Sequence, residues 1–176
     1  GACWQRCFVH LQRDLAARIR HKPDQGRAMR ALSAVLQQGN AAMTRAAYDA
    51  AVDRIGRIDR RAGELLEDAR EDALAHLAFH REHWIRLRTN NVQERANAEI
   101  KRRTRAVQIF PSRESLIRLV GAVLVDMNET WTRHRFMSAD DMATALEPRA
   151  REHVEISDET RQRADQIIRT ALESAA

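Results

Sequence analysis

The sequence predicts a mainly helical protein with one short strand at its start. Three observations lead there. Three prolines and six glycines are all that punctuate 176 residues, and long stretches carry strong helix formers. Met43, Ala47, Ala51, Ile55, Ile58, Ala62, Leu65, Ala69, Ala73 and Leu77 recur every three or four positions, an apolar stripe at helical period. Cys3–Val9 stands apart: it is rich in aromatic and β-compatible residues, Trp4 and Phe8 among them, and reads as a strand or strand end.

The elements follow in order. A first helix is expected from about Leu11 to Arg20, stopped by Lys22-Pro23. A second runs around Arg27–Gln38 and closes at Gln38-Gly39-Asn40. The long stripe comes next, weakened by Gly56 and Gly63, so one helix and two helices broken near Ile58–Gly63 both fit. Thr89-Asn90-Asn91 offers capping residues to a helix from Val92 to about Arg105. Phe110-Pro111-Ser112 ends that run and starts another, with Pro111 and Glu114 suited to a helix start. Ser112 and Ser115 are spaced like a capping box without its acidic member. Leu116, Leu119, Val120, Val123, Leu124 and Met127 give this helix a wide apolar face that predicts burial. A looser segment, Ser138–Val154, contains Pro148 and precedes a last helix over about Asp158–Ala175.

Composition narrows the class. Hydrophobic residues at 44% and charged residues at 31% fit a globular domain. No apolar run reaches the length of a membrane span, since even Leu116–Val125 is broken by Arg118. No signal peptide is read at the start, and two cysteines, Cys3 and Cys7, do not make a disulfide scaffold, so a reducing cytoplasm is expected. The chain opens Gly-Ala rather than Met and reads as a fragment. Thirty Lys and Arg stand against twenty-five Asp and Glu, with arginine greatly in excess of lysine. Between Ile85 and Arg118 nine basic residues face three acidic ones, so about the whole surplus sits there. A localised basic stretch is the electrostatic footprint of a nucleic-acid site.

The run Asn91-Val92-Gln93-Glu94-Arg95-Ala96-Asn97-Ala98-Glu99-Ile100-Lys101-Arg102-Arg103 carries most information. On a helix, Glu94, Asn97, Lys101 and Arg105 fall at steps of three and four, on one face. A carboxylate, an amide and two cations on one stripe suit a site facing a metal ion and phosphates. On charge alone, a solvated helix with a Glu–Lys ladder is the plainer reading.

Context shifts the balance. Asn-x-x-Glu-Arg-x-Asn-x-Glu-Ile-Lys-Arg-Arg, followed by Ile109-Phe110-Pro111 and Ile117-Arg118-Leu119-Val120-Gly121-Ala122-Val123-Leu124, resembles the Mutator-type transposases of bacterial insertion sequences. The same resemblance extends to Gln5-Arg6-Cys7 with His10, to Glu64-Leu65-Leu66-Glu67-Asp68-Ala69, to Arg81-Glu82-His83-Trp84 and to Phe136-Met137-Ser138. It runs in order from Cys3 to about Ser138, and the order makes it specific.

The resemblance implies a ribonuclease-H-like α/β catalytic core in which two aspartates and a glutamate bind Mg2+ or Mn2+, with a helical insertion before the glutamate helix. Residues 1–10 would be the last core strand, 11–88 the all-helical insertion, 89–137 the glutamate-bearing helix with the following core helix, and 138–176 a helical tail. Glu94 would be the catalytic, metal-binding glutamate, and the chemistry two-metal phosphoryl transfer in DNA strand cleavage and joining. Arg95, Asn97, Lys101, Arg102, Arg103 and Arg105 are the candidate DNA contacts, positioning the backbone rather than reading bases. The implied partners are DNA, both transposon ends and target, and further copies of the chain or a full-length transposase, in the nucleoid of a bacterial cytoplasm and away from any membrane. Both family aspartates lie upstream of the Gln-x-Cys-x-x-His motif and are absent here, so this chain alone is expected to be inactive. A non-catalytic helical DNA-binding or dimerisation module, partnering a full-length transposase, is the alternative. Smaller departures are His80 where the family often has Pro, Ala96 in place of a larger apolar residue, and Gln108 where Gly is usual.

Other candidates are weaker. Cys7 and His10 could be half of a zinc site, but no second pair sits at suitable spacing, and packing or hydrogen bonding is the better expectation. His76, His80 and His83 are spaced four and three, so one helix would align them; a dipole-complementing surface is the plainer reading. Trp84 and Trp131 could stack on bases, yet their apolar neighbours favour packing.

Overall fold

The computed structural model describes residues 4–133, 140, 142–143 and 154–174. It is mainly helical, and the described residues contain no strand. They divide into two compact units: Gly1–Thr89 together with Arg149–Ala176, and Asn90–Pro148 between them in sequence. Among the described residues, no helix is long and apolar enough to cross a membrane.

The first unit contains α1 (Phe8–Arg18), α2 (Lys22–Val35), α3 (Ala41–Ile58), α4 (Arg60–Leu74), the short α5 (Trp84–Leu87) and, from the far end of the chain, α8 (Asp158–Glu173). Two 3-10 turns, Ala75–Ala78 and Arg81–His83, link α4 to α5. Phe8, Leu11 and Leu15 project from α1 at steps of three and four and are fully buried. That spacing corrects the expected strand over Cys3–Val9. Phe8 and Val9 already belong to α1, and Trp4–Cys7 is non-helical chain without a neighbouring strand. Its hydrogen bonds go to helix ends instead: the Arg6 amide donates to the Asp72 carbonyl at 2.9 Å and the Phe8 amide to Arg88 at 2.9 Å. With no ladder to join, aromatic content gives way to helical period.

Pro23 proves to be a helix opener rather than a stop, lying in the first turn of α2 where its missing N–H costs nothing. The long stripe is two helices. Asp59 ends α3 and caps α4, its carboxylate accepting from the Arg61 and Ala62 amides at 2.9 and 3.2 Å. The two helices then fold against each other at Gly56 and Gly63. A Cβ on Gly63 would lie 2.6 Å from the Gly56 Cα, so only glycine fits there. Tyr48 is fully buried and donates its hydroxyl to the Leu66 carbonyl at 2.8 Å, joining α3 to α4; burial pushes its ionisation upward. Asp49 and Arg70 form a bidentate pair across the same interface, at 2.8 and 3.1 Å.

Helix α8 starts at Ser157, whose hydroxyl accepts from the Thr160 amide. Ala164, Ile168 and Leu172, one turn apart, are buried against α2 and α3. Burial of the Ile168 side chain alone contributes about 2–3 kcal/mol before entropy is counted. Arg54 holds Asp165 through two 2.6 Å bonds. At the other end of α8, Arg27 donates to the Leu172 carbonyl (3.0 Å) and Arg30 to the Ser174 carbonyl (2.7 Å). Helix-end carbonyls lack partners within the helix, and two cations complement the dipole there. Helix α8 thus completes the core of this unit.

The second unit contains α6 (Asn91–Val107) and α7 (Arg113–Arg133), packed on each other. Between them Gln108 takes φ 63° and ψ −68°, and the Ile109 amide donates to the Val107 carbonyl at 2.8 Å. This is a γ-turn with positive φ, strained for a side-chain-bearing residue. Glycine, the residue that the resemblance leads one to expect here, would adopt this conformation without strain. Ser112 and Ser115 cap α7 reciprocally: the Ser115 amide donates to the Ser112 hydroxyl at 3.2 Å, and the Ser112 amide to the Ser115 hydroxyl at 3.4 Å. The hydroxyl does the work of the acidic member that a capping box usually has.

Candidate functional site

Helix α6 is polar over most of its surface and contains no buried residue. Glu94 lies in its first turn, half-buried, where the helix dipole favours a carboxylate. Asn97, Lys101 and Arg105 follow on the same face, and all three are exposed.

The remaining charges of α6 sit on a different side, and three of them, Glu99, Arg102 and Arg103, are paired with one another. Glu99 accepts from Arg102 at 2.7 and 2.9 Å and from Arg103 at 2.8 Å. The two guanidinium groups hold its carboxyl down to about 2. Arg102 and Arg103, both candidate DNA contacts, therefore spend part of their charge within the helix. Arg95, Lys101 and Arg105 make no ion pair with a described residue. Of the two carboxylates on α6, Glu99 is committed to a surface network of two guanidiniums, and Glu94 shares the face of Asn97, Lys101 and Arg105.

Helix α7 supplies the backing and more apolar surface than α6 can cover. Val123 is buried, and Leu119, Val120 and Met127 are half-buried. Ile117 and Val125 are 57% and 61% exposed, and Leu116 and Leu124 are exposed too, so the burial expected for this face is only partial. A Cβ on Gly121 would meet open space.

The other sequence candidates are structural. Trp84 is buried, stands edge-on to His76 and donates its indole N–H to the Phe79 carbonyl at 2.9 Å, so it packs rather than stacking on bases. Trp131 is half-buried on α7. His76, His80 and His83 do not share a helix, because α4 gives way to the 3-10 turns just before them. His76 is buried, 3.0 Å from the Ala73 carbonyl through Nδ1, and burial holds its pKa down to about 4. His83 is buried with both ring nitrogens lacking a hydrogen-bond partner, and Glu82 lies 3.6 Å away.

In the Gln-x-Cys-x-x-His motif, Cys7 is the half-buried cap of α1 and forms no disulfide with a described residue, and His10 is exposed in the first turn. The residue with a legible task is one the sequence reading passed over. Gln5 donates to the Ala73 carbonyl at 3.1 Å and accepts from the His76 amide at 2.6 Å, closing the end of α4. Its place in the motif was the available signal. Phe136-Met137-Ser138 lies outside the described residues.

Among the described residues, no cluster of three or more His, Cys, Asp or Glu could hold a metal ion. Two divalent ions need several carboxylates. The donors described here do not by themselves fit such a centre.

The comparisons with known proteins point one way. The model of the Mutator family of transposases matches residues 1–134. The chain is 40% identical over 135 residues to the transposase for insertion sequence element IS1081 of Mycobacterium tuberculosis, covering 77% of this chain and 32% of that protein. It is 33% identical over 147 residues to the transposase for ISRM5 of Rhizobium meliloti, covering 80% and 35%. To the transposase for IS256 in transposon Tn4001 of Staphylococcus aureus it is 32% identical over 132 residues, covering 73% and 33%. The chain thus spans about a third of the length of the curated relatives it matches. No solved structure matches it. With its family model matched over three quarters of its length, the chain belongs to the Mutator family of transposases.

Proposed function

We propose that this chain is the glutamate-bearing segment of a transposase that cuts and joins DNA strands, with Glu94 as one carboxylate of the catalytic centre. The supporting observation is the division of charge on α6. Glu99 is tied to Arg102 and Arg103, while Glu94 shares its face with Asn97, Lys101 and Arg105. In this reading Asn97, Lys101 and Arg105 grip the phosphate backbone, joined by Arg95, and Arg102 and Arg103 add to the field.

The other carboxylates, and the sheet of a ribonuclease-H-like core, come from the rest of the transposase. The chain alone then cuts no DNA, since one carboxylate does not hold two ions; Mg2+ or Mn2+ binds in the complete enzyme. The substrates are transposon ends and target DNA, and the place of action is the bacterial nucleoid. The test is transposition of a marked element by the complete transposase carrying this segment. Glu94→Gln is expected to lower its frequency by on the order of 100-fold or more, while Glu99→Gln keeps it near the parent value. Unchanged transposition with Glu94→Gln overturns the assignment.

The exposed apolar face of α7 favours a second reading, a non-catalytic DNA-binding or dimerisation module that pairs with a full-length transposase. There Glu94→Gln leaves DNA and partner binding intact, and Lys101→Ala weakens DNA binding and its salt dependence.

A further inference from the structure

We propose that the carboxy-terminal end of α8, with α2 and α3, forms a second DNA-backbone site, a groove on the first unit built from residues other than those of α6. The inference rests on the DNA reading for the identity of the polyanion.

Two hollows adjoin at this place. One, about 210 Å³, is lined by Arg27, Arg54, Arg57 and Arg169. The other, about 550 Å³, adds Lys22 and Arg30. Arg27, Leu172 and Glu173 belong to both, so the hollows are continuous. Six cations therefore line one groove, with Glu173 as its single acidic lining residue among those described.

Several of these charges are compensated. Asp24 holds Arg27 at 3.0 Å, Asp165 holds Arg54 at 2.6 Å, and Glu173 lies 3.9 Å from Arg169. Lys22, Arg30 and Arg57 make no ion pair with a described residue. Arg30 also has a buried Nε without a hydrogen-bond partner, a donor left unspent.

The shape argues for a strand rather than a small oxyanion. The cations are divided between two adjoining open hollows, Arg54, Arg57 and Arg169 in one, Lys22 and Arg30 in the other, and Arg27 in both. Among the described residues no aromatic side chain lines either hollow, so the groove offers charge to a backbone and no platform to a base. Arg169 lies beyond the residues matched by the family model, on a helix that model does not include.

The experiment is fluorescence anisotropy of a labelled duplex of about 20 base pairs, titrated with the 176-residue chain from roughly 50 to 200 mM salt. Lys22→Ala/Arg57→Ala is expected to lower the slope of log affinity against log salt by about 2, one unit for each phosphate no longer neutralised. The charge-retaining pair Lys22→Arg/Arg57→Lys is expected to keep the parent slope. Circular dichroism should show parent helix content throughout, because neither residue pairs with a described acid. A parent slope in the alanine pair overturns the groove, as does an equal loss in the charge-retaining pair.

Lys101→Ala/Arg105→Ala, measured beside them, separates the two sites. If it alone loses affinity, the α6 site stands and the groove falls. If only the groove pair loses affinity, the groove stands and the α6 site falls. Absence of DNA binding by the parent chain at the lowest salt overturns both.

Discussion

The two units spend their apolar residues in opposite ways. In the first, Phe8, Leu32, Tyr48, Ile55, Leu66 and Ile168 are fully buried, and five long helices close over them. In the second, α7 carries a wide apolar face, yet of its large apolar residues only Val123 is buried. A helix face that wide is normally turned toward a core. The contrast separates a unit with a core of its own from a pair of helices whose outer face suits a further layer.

Three measurements break or sharpen that contrast. The largest effect is expected from Ile168→Ala, which opens a cavity where α8 meets α2 and α3 and should cost about 2–4 kcal/mol in urea unfolding. Leu124→Ala on the open face of α7 should change stability by less than about 0.5 kcal/mol. Equal costs would mean that α7 is covered in solution.

The second pair probes the crossing of α3 and α4. Gly63→Ala forces a Cβ against the Gly56 backbone and should cost about 1–3 kcal/mol. At Gly56 the new Cβ would lie 3.7 Å from Gly63, an ordinary contact, so Gly56→Ala should be neutral or gain up to about 1 kcal/mol in helix propensity. If thermal melts rank the two alike, the helices cross elsewhere.

The smallest effect concerns pH. Burial depresses the pKa of His76 to about 4, so between there and the ordinary value near 6.5 the unfolded chain binds more protons than the folded one. The stability held near neutral pH should decline as pH falls through that window, by on the order of 1–2 kcal/mol at pH 5. His76→Leu should flatten this part of the melting-temperature profile. A profile unchanged by that substitution would assign the dependence to other groups.

Local signals were well preserved in the sequence. The break near Ile58–Gly63, the start of α8 at Asp158 and the spacing of Glu94, Asn97, Lys101 and Arg105 each depend on residues within a turn or two of one another. What the sequence hid is non-local. Lys22, Arg57 and Arg169 come from three helices far apart in the chain, so no charge window gathers them. Cys3–Val9 looked strand-like by composition, but a strand needs an edge to join, and the α4 end and Arg88 offer their carbonyls instead. The histidine spacing misled because it assumed one continuous helix, and the chain turns 3-10 at Ala75. Gln108 is a mixed case: the resemblance marked it as unusual, and only its positive φ gives the physical reason.

The capture of α8 has a consequence for how the chain acquires its structure. Arg54 and Asp165 are 111 residues apart in sequence, and Arg27 and Leu172 are 145 apart. During synthesis, the groove between α2 and α3 stays empty until α8, whose Asp165 lies 111 residues beyond Arg54, has left the ribosome. The seal of α8 over α2 and α3 is therefore a late, long-loop event, slowed by closure entropy. A nascent chain cut before Ser157 should retain helices but present an open apolar seam, the form that chaperones and proteases would meet first.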